Sequence, residues 1–298
     1  MTLSTESVPM RLARRLGWER IAWSLRRLHC PVGPKALVLE VGSGGNPYAR
    51  ADVLLDAYEA TRERHWVPLI ADRPTVLGMG EQLPFRDQSF DFVIASHVLE
   101  HTAEPERFLA ELQRVARAGY IEVPDALFER LNPYRDHRLE VTERDGQLVI
   151  RKKPAPTVDP ELAELYEHRA KRHVTQDLFP QHPFAFHVRH FWEGRIRYTV
   201  LNPEVDAGWP APPAAERTVQ PAGLRQRVQG ALLRMLRAIS RALRTRRKLD
   251  LLSLTRCPAC RHEQLRRSHD KVVCGGCQRR YPVRHGIPCL QTSFAEVA

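Results

Sequence analysis

Between Ala36 and Pro124 short apolar runs alternate with polar connections, and this alternation limits the fold more than any other feature of the chain. The segments "ALVLEV", "ADVLLD", "TVLGM", "FDFVIAS" and "YIEVP" each have the length and apolar density of a strand covered on both faces. Ahead of the last, "EPERFLAELQRVAR" sets Phe108, Leu109, Leu112 and Val115 on one helical stripe, with Glu104 and Glu106 suited to the first turn. Strands joined by crossovers predict an α/β fold with a doubly wound, mostly parallel sheet. Only the eleven residues Gly42 to Asp52 separate the first two strands. A crossover with its helix needs roughly 10–12 residues, so the first helix should shrink to about one turn.

The rest of the chain divides by composition. Residues 1–34 read as an amphipathic helix, with Leu12, Leu16, Ile21, Leu25 and Leu28 as its apolar stripe. Residues 35–202 form the main domain, in which "HRLEVTERDGQLVIRKK" is a hairpin turning at Asp145-Gly146. Asp159 and Pro160 open a helix there. Residues 155–195, rich in His and aromatic side chains, suit a lid-like insertion or a packing surface. A Pro-rich linker follows at 203–222, then a basic amphipathic helix at 223–250 and a cysteine module at 251–298.

Charge follows the same division. The net charge is +11, but residues 1–220 carry 29 basic and 31 acidic side chains, whereas residues 221–298 carry 17 and 4. The basic C-terminal quarter is therefore the candidate for contact with an anionic surface, a membrane or RNA. No apolar run reaches the roughly 18 residues of a membrane span, and the N-terminus lacks the apolar core of a secretory signal. The expected location is the cytoplasm, including the inner face of its membrane as a peripheral site.

The first strand ends in a glycine loop, "VLEVGSGGNPY", Val38 to Tyr48. A dinucleotide site wants G-x-G-x-x-G and an acid about 20 residues further on. Here the third glycine falls on Pro47 and Asp56 comes too early. S-adenosylmethionine has no pyrophosphate and does not need that helix. It needs backbone room, which Gly42, Gly44 and Gly45 give, and an acid ending the second strand to accept both ribose hydroxyls, where Asp56 stands. Glu40 is placed to face the ligand's ammonium.

Residues 36–125 resemble a class I S-adenosylmethionine-dependent methyltransferase of the type-11 branch. "VLEVGSGGNPY" is similar to that family's first motif, "EQLPFRDQSFDFVIASHVLEH" to its segment from the third to the fourth strand, and "EPERFLAELQRVARAGYIEVP" to the helix and strand that follow. The resemblance implies a Rossmann-like methyltransferase sheet and a cofactor site made by Glu40, Gly42, Ser43, Gly44, Asp56, Met79, Glu81 and Ser96. The family often has Asp before its "xLPF" element to meet the adenine amino group, where this chain has Met79-Gly80-Glu81.

Methyl transfer is a displacement at a sulfonium, governed largely by positioning. It uses a general base only where the acceptor must lose a proton. "SHVLEH" follows the fourth strand at the carboxyl edge of the sheet, where α/β sites lie, so His97, Glu100 and His101 are the candidate catalytic residues. Glu100 and His101 would also serve simply to begin a helix.

"CPAC" and "CGGC" are thirteen residues apart, a spacing that puts Cys257, Cys260, Cys274 and Cys277 on two knuckles around one structural Zn²⁺. Leu254 to Leu290, with "YPVRHGIP" near its close, also resembles the small zinc-ribbon activator subunit of certain methyltransferases acting on tRNA, ribosomal RNA and release factors. That implies an activator-like module carried in the same chain, with no separate activator subunit. The expected function is methyl transfer from S-adenosylmethionine to an acceptor that is a small molecule, lipid or glycan. RNA or a protein factor is the alternative acceptor, and a non-enzymatic zinc-containing binding protein is the alternative class.

Overall fold

The computed structural model describes residues 3–64, 66–157, 159–210, 235 and 249–296. The expected basic helix falls almost entirely outside these residues, as does the Pro-rich linker beyond Pro210. The first part of the linker instead packs on the main domain, with Ala207 buried and Trp209 Nε1 donating to Lys153 O at 3.0 Å.

The central sheet takes its first five strands from the apolar runs: β1 (Val38–Val41), β2 (Val53–Asp56), β3 (Thr75–Leu77), β4 (Phe92–Ser96) and β5 (Ala118–Pro124). Every residue of the five is buried, as strands covered on both faces require. Their spatial order is β3-β2-β1-β4-β5, all parallel. The residues between β1 and β2 make turns and no helix, so the crossover is short as expected but lacks even the single helical turn.

The hairpin also forms, from β6 (Leu139–Arg144) and β7 (Gln147–Lys152). Asp145 and Gly146 have φ of 51° and 68°, the paired positive values that a two-residue turn of this hand requires. The His- and aromatic-rich segment splits. Asp159 caps a helix at Pro160–Arg169, accepting from Leu162 N–H at 2.9 Å. His187–Glu193, by contrast, is strand β8, which closes the central sheet antiparallel to β5. The alternation of half-buried and buried residues along it, ending in exposed Glu193, is what an edge strand with one core face gives. A short strand β9 (Tyr198–Val200) then pairs with β7.

The N-terminal expectation needs correction. Two helices stand where one was expected, α1 (Val8–Arg15) and α2 (Glu19–Leu25), broken at Gly17 with φ of 74°. Leu12, Leu16, Ile21 and Leu28 of the expected stripe are exposed. Met10, Ala13 and Ala22 are buried instead, because the break turns the second helix and presents small side chains to the domain. The helix between β4 and β5 is α3 (Pro105–Val115), and its Phe108, Leu109, Leu112 and Val115 are buried as the stripe predicts.

The cysteine module is a four-stranded antiparallel sheet, β10 (Leu265–Ser268), β11 (Lys271–Cys274), β12 (Arg280–Arg284) and β13 (Ile287–Pro288). It docks on the free edge of β3: Leu77 pairs with Cys289 in parallel, and Leu290 N–H donates to Leu77 O at 2.7 Å. Arg86 N–H donates to Leu254 O at 2.9 Å and Arg256 N–H to Pro84 O at 3.0 Å. Cys257, Val272, Tyr281 and Leu290 join the same apolar core as β1, β2 and β4. No helix among the described residues is long and apolar enough to cross a membrane.

Candidate functional site

Three strand ends meet at the glycine loop. Gly42 and Ser43 N–H both donate to Leu55 O, at 2.8 and 3.1 Å, which ties the loop to β2. Gly42 and Gly44 have φ of 71° and 54°, which side chains other than glycine rarely adopt. At Gly42 a Cβ would also stand 2.1 Å from Val98 Cγ2, so the loop lies directly on the turn after β4. Glu40, buried at the end of β1, accepts from Tyr48 N–H at 2.8 Å and so holds the far side of the loop. Arg27 Nη1 donates to Asn46 O at 2.9 Å. Ser43 Oγ is buried and has no hydrogen-bond partner among the described residues.

Asp56 ends β2, beside the loop, as the motif spacing predicts. Its Oδ2 accepts from Gly44 N–H at 2.9 Å. Its Oδ1 accepts from Tyr58 N–H at 3.1 Å and from Arg64 Nη1 at 3.0 Å. Arg64 belongs to a segment that crosses the glycine loop. A Cβ at Gly44 would meet Arg64 Cδ at 3.0 Å, one at Gly45 would meet Val67 Cγ1 at 2.3 Å, and Ile70 N–H donates to Gly44 O at 3.0 Å. The glycines are thus needed partly for the chain's own covering segment.

Met79 is half-buried just before the single turn Gly80–Gln82. Glu81 on that turn accepts from Thr102 Oγ1 at 2.5 Å. Ser96 ends β4, and its hydroxyl donates to Glu122 Oε1 at 2.9 Å. Met79 and Glu81 lie along the carboxyl end of β3, and Ser96 at that of β4.

Beyond Ser96 the chain turns sharply, with His97 at φ 58°. Leu99–His101 make one helical turn, and α3 starts only at Pro105. His97 Nδ1 lies 3.2 Å from Glu100 Oε1, and its Nε2 lies 3.6 Å from Glu122 Oε1. His97 is partly exposed, whereas Glu100 is buried. Burial works against the Glu100 carboxylate, yet the hydrogen bond and charge of His97 bring its pKa down to about 2. His101 is lowered to about 4, first by burial and then by His137.

Glu122 went unnoticed in the sequence, although it is the single acid in the fifth strand as Glu40 is in the first. It is fully buried and accepts from Arg26 Nε at 2.7 Å, Arg26 Nη2 at 3.1 Å, Ser96 and the Tyr120 hydroxyl. Burial alone would raise its pKa, but Arg26 holds it well below the usual carboxylate range. Arg26 comes from the turn after α2 and stacks on Trp23, 3.5 Å from guanidinium to ring centroid. Trp23 in turn packs on His187, the first residue of β8. The N-terminal helices therefore close this edge of the sheet, a role their sequence pattern did not disclose. His137 was also missed. It is buried beside His101 and meets Glu129 Oε2 at 2.6 Å, while Lys153, equally buried, meets Glu129 Oε1 at 2.8 Å.

The four module cysteines come together as their spacing predicts. Cys257 and Cys277 Sγ are 3.7 Å apart, Cys260 and Cys274 Sγ 3.5 Å, and all four lie within 4.8 Å of one another. A tetrahedron of thiolates at about 2.3 Å from zinc has edges of about 3.8 Å. Each knuckle closes alike: Arg261 N–H donates to Cys257 O at 2.9 Å and Gln278 N–H to Cys274 O at 3.2 Å. Arg261 and Gln278 have φ of 64° and 58°. The Tyr281 hydroxyl lies 3.1 Å from Cys257 Sγ. Cys30 and Cys289 stand apart from the cluster.

Residues 39–121 match a family model described as a methyltransferase domain. An uncharacterized protein of Methanocaldococcus jannaschii is 29% identical over 86 residues, covering 29% of this chain and 42% of that protein. An uncharacterized methyltransferase of Mycobacterium leprae is 27% identical over 190 residues, covering 58% of this chain and 65% of that protein. The chain thus spans less than two thirds of either relative. Among solved structures, a SAM-dependent methyltransferase from Thermotoga maritima is 25% identical with a TM-score of 0.25, over 32% of this chain and 46% of that one. A chain from a complex containing the Haloferax volcanii Trm112 methyltransferase activator is 16% identical with a TM-score of 0.35, over 64% of this chain and 95% of that one.

Proposed function

We propose, from the premise that residues 39–121 are a methyltransferase-family domain, that the chain moves a methyl group from S-adenosylmethionine to an acceptor held at the carboxyl edge of β4 and β5. The observation that carries the reading is the meeting of Glu40, the Gly42–Gly44 loop and Asp56 at one point on the sheet edge. Ser43 Oγ, buried without a partner among the described residues, fits a polar ligand there. Asp56 would take the ribose hydroxyls, the glycine loop would receive the methionine part, and Met79 would flank the adenine. The cofactor supplies an electrophilic methyl on a sulfonium. The chain's part is to fix the acceptor in line with it and to exclude water. His97, partly exposed between Glu100 and Glu122, is the group placed to contact the acceptor. A ligand hydroxyl on Asp56 would have to replace Arg64, so binding displaces the Arg64 side chain.

The favoured acceptor is a small molecule, lipid or glycan, because residues 1–220 carry no basic excess for gripping RNA unaided. The four cysteines would hold structural Zn²⁺, with no position left open for chemistry. A ribbon that already caps β3 supports a chain that needs no separate activator subunit.

A second reading has an observation of its own. Asp56 is fully engaged by Gly44, Tyr58 and Arg64, as in a domain that has kept the fold as a binding or structural unit. Incubation of the native chain with methyl-labelled S-adenosylmethionine and fractionated cell extract separates the readings. Label in a ribonuclease- and protease-resistant fraction supports the favoured acceptor, label removed by ribonuclease transfers the reading to RNA, and no transfer favours the non-enzymatic one.

A further inference from the structure

Glu100, His101 and His137 form a cluster that neither the glycine loop nor the ribbon uses. Glu100 and His101 sit on the turn after β4, and His137 lies just before β6. One ligand atom from each lies within 4.8 Å of the others. The two imidazoles stand edge to face, with centroids 4.7 Å apart and planes at 89°.

Each side chain is held so that one donor atom is left over. His101 Nδ1 is 3.2 Å from Asp136 O. A carbonyl only accepts, so Nδ1 carries the proton and Nε2 keeps its lone pair. His137 Nδ1 is 2.6 Å from Glu129 Oε2, and Lys153 Nζ meets the other oxygen at 2.8 Å. With Nδ1 so engaged, Nε2 is the ring nitrogen left for a ligand. Glu100 Oε1 is met by His97, while Oε2 is buried with no hydrogen-bond partner among the described residues. A buried carboxylate oxygen without a partner is costly in a protein interior. A cation at the centre would satisfy all three donors at once.

We infer that Glu100, His101 and His137 form a divalent transition-metal site, with Glu129 and the Asp136 carbonyl as the groups that orient the two imidazoles. An imidazole that donates its second N–H to a carboxylate or a carbonyl is the usual form of a metal-bound histidine. Two imidazole nitrogens and one carboxylate suit Mn²⁺, Fe²⁺, Co²⁺ or Zn²⁺, and three protein ligands leave positions open for an outside oxygen. Val98, between His97 and Leu99, packs against Gly42, so the site shares its turn with the glycine loop. The open positions suit a hydroxyl or carboxylate oxygen of the acceptor. That use rests on the methyl-transfer reading, whereas the presence of the site does not.

The test is titration of the full-length, zinc-replete chain with Mn²⁺, followed by electron paramagnetic resonance in the absence of any methyl donor. Mn²⁺ competes poorly for the four thiolates of the ribbon. The site predicts one Mn²⁺ per chain, with nitrogen couplings from two imidazoles. His137→Ala should abolish binding, and Glu129→Gln should weaken it about 10–100-fold, as loss of an orienting partner does. Retained ribbon zinc and a single cooperative melting transition report that each variant is folded. Elemental analysis after loading with Zn²⁺ or Co²⁺ should find a second equivalent beside the ribbon's. No Mn²⁺ binding together with no second equivalent in the wild-type chain would overturn the inference, as would binding unchanged in folded His137→Ala. Neither result bears on cofactor binding, which is measured separately without metal.

Discussion

Gln291, in the C-terminal ribbon, donates from Nε2 to the carbonyl of Ala57 at 2.6 Å. Ala57 follows Asp56, the acid beside the glycine loop. On the neighbouring strand, Gly78 N–H holds Asp56 O at 2.9 Å while Leu290 N–H holds Leu77 O at 2.7 Å. The ribbon is therefore built into the edge that carries the candidate cofactor acid, and the two modules share one core.

It follows that disrupting the four-cysteine cluster should reach the glycine loop. Cys257→Ser or Cys277→Ser should abolish zinc content, since ligation contributes on the order of 10 kcal/mol to the folding of so small a unit. The same variants should lower the melting temperature of the whole chain in a single transition and weaken cofactor binding. Calorimetric melting with elemental analysis checks this. Two separate transitions, with the first strands unaffected, would show that the modules fold apart.

Arg64 competes for Asp56 Oδ1, which it meets at 3.0 Å. Arg64→Ala should free that oxygen and tighten S-adenosylhomocysteine binding, by about ten-fold or more for a charge-assisted hydrogen bond worth roughly 1.5–3 kcal/mol. Weaker binding in the variant would mean instead that Arg64 contacts the ligand.

The sheet's carboxyl edge depends on the buried pair of Arg26 and Glu122, 9% and 0% exposed in their side chains. Removing one member of such a pair strands the other, at a cost on the order of 3–5 kcal/mol. Arg26→Ala should therefore destabilise strongly in chemical unfolding, and Arg26→Ala with Glu122→Gln together should cost less than the sum of the singles. Additive losses would show that the pair is not coupled.

Acid should weaken the fold through His187. Burial, and then His97, lower its pKa from 6.5 to about 4, while the Pro183 carbonyl and Glu122 oppose them and Arg26 adds to the lowering. A histidine with a depressed folded-state pKa binds its proton more readily when unfolded. Its contribution is complete above pH 6.5 and is lost as pH falls from there towards 4. Melting temperature should fall across that window, and His187→Asn should flatten the slope. An identical slope in the variant would assign the acid sensitivity elsewhere.

What the sequence disclosed were the local features. Short continuous apolar runs bounded by turn residues read as doubly covered strands, Asp145-Gly146 can turn a hairpin tightly, and two Cys-x-x-Cys pairs can close knuckles. Asp56 and the glycine loop were legible because strand ends and loops keep their order along the chain. The missing parts are contacts between distant segments. Arg26 and Glu122 are 96 residues apart, and Gln291 and Ala57 234, and no periodicity records such pairs. The N-terminal stripe misled because Gly17 breaks the helix and small residues, Ala13 and Ala22, make the packed face. His190 and Trp192 sit in an edge strand because their neighbours alternate in burial, a period-two signal masked by the density of aromatic residues.

The most direct test of the account is calorimetric titration of the full-length chain with S-adenosylmethionine and S-adenosylhomocysteine. Both should bind at one equivalent with micromolar affinity, and Asp56→Ala should weaken both about ten-fold or more through loss of charged hydrogen bonds. A folded wild-type chain that binds neither, or an Asp56→Ala chain that binds both as well as the wild type, would contradict it.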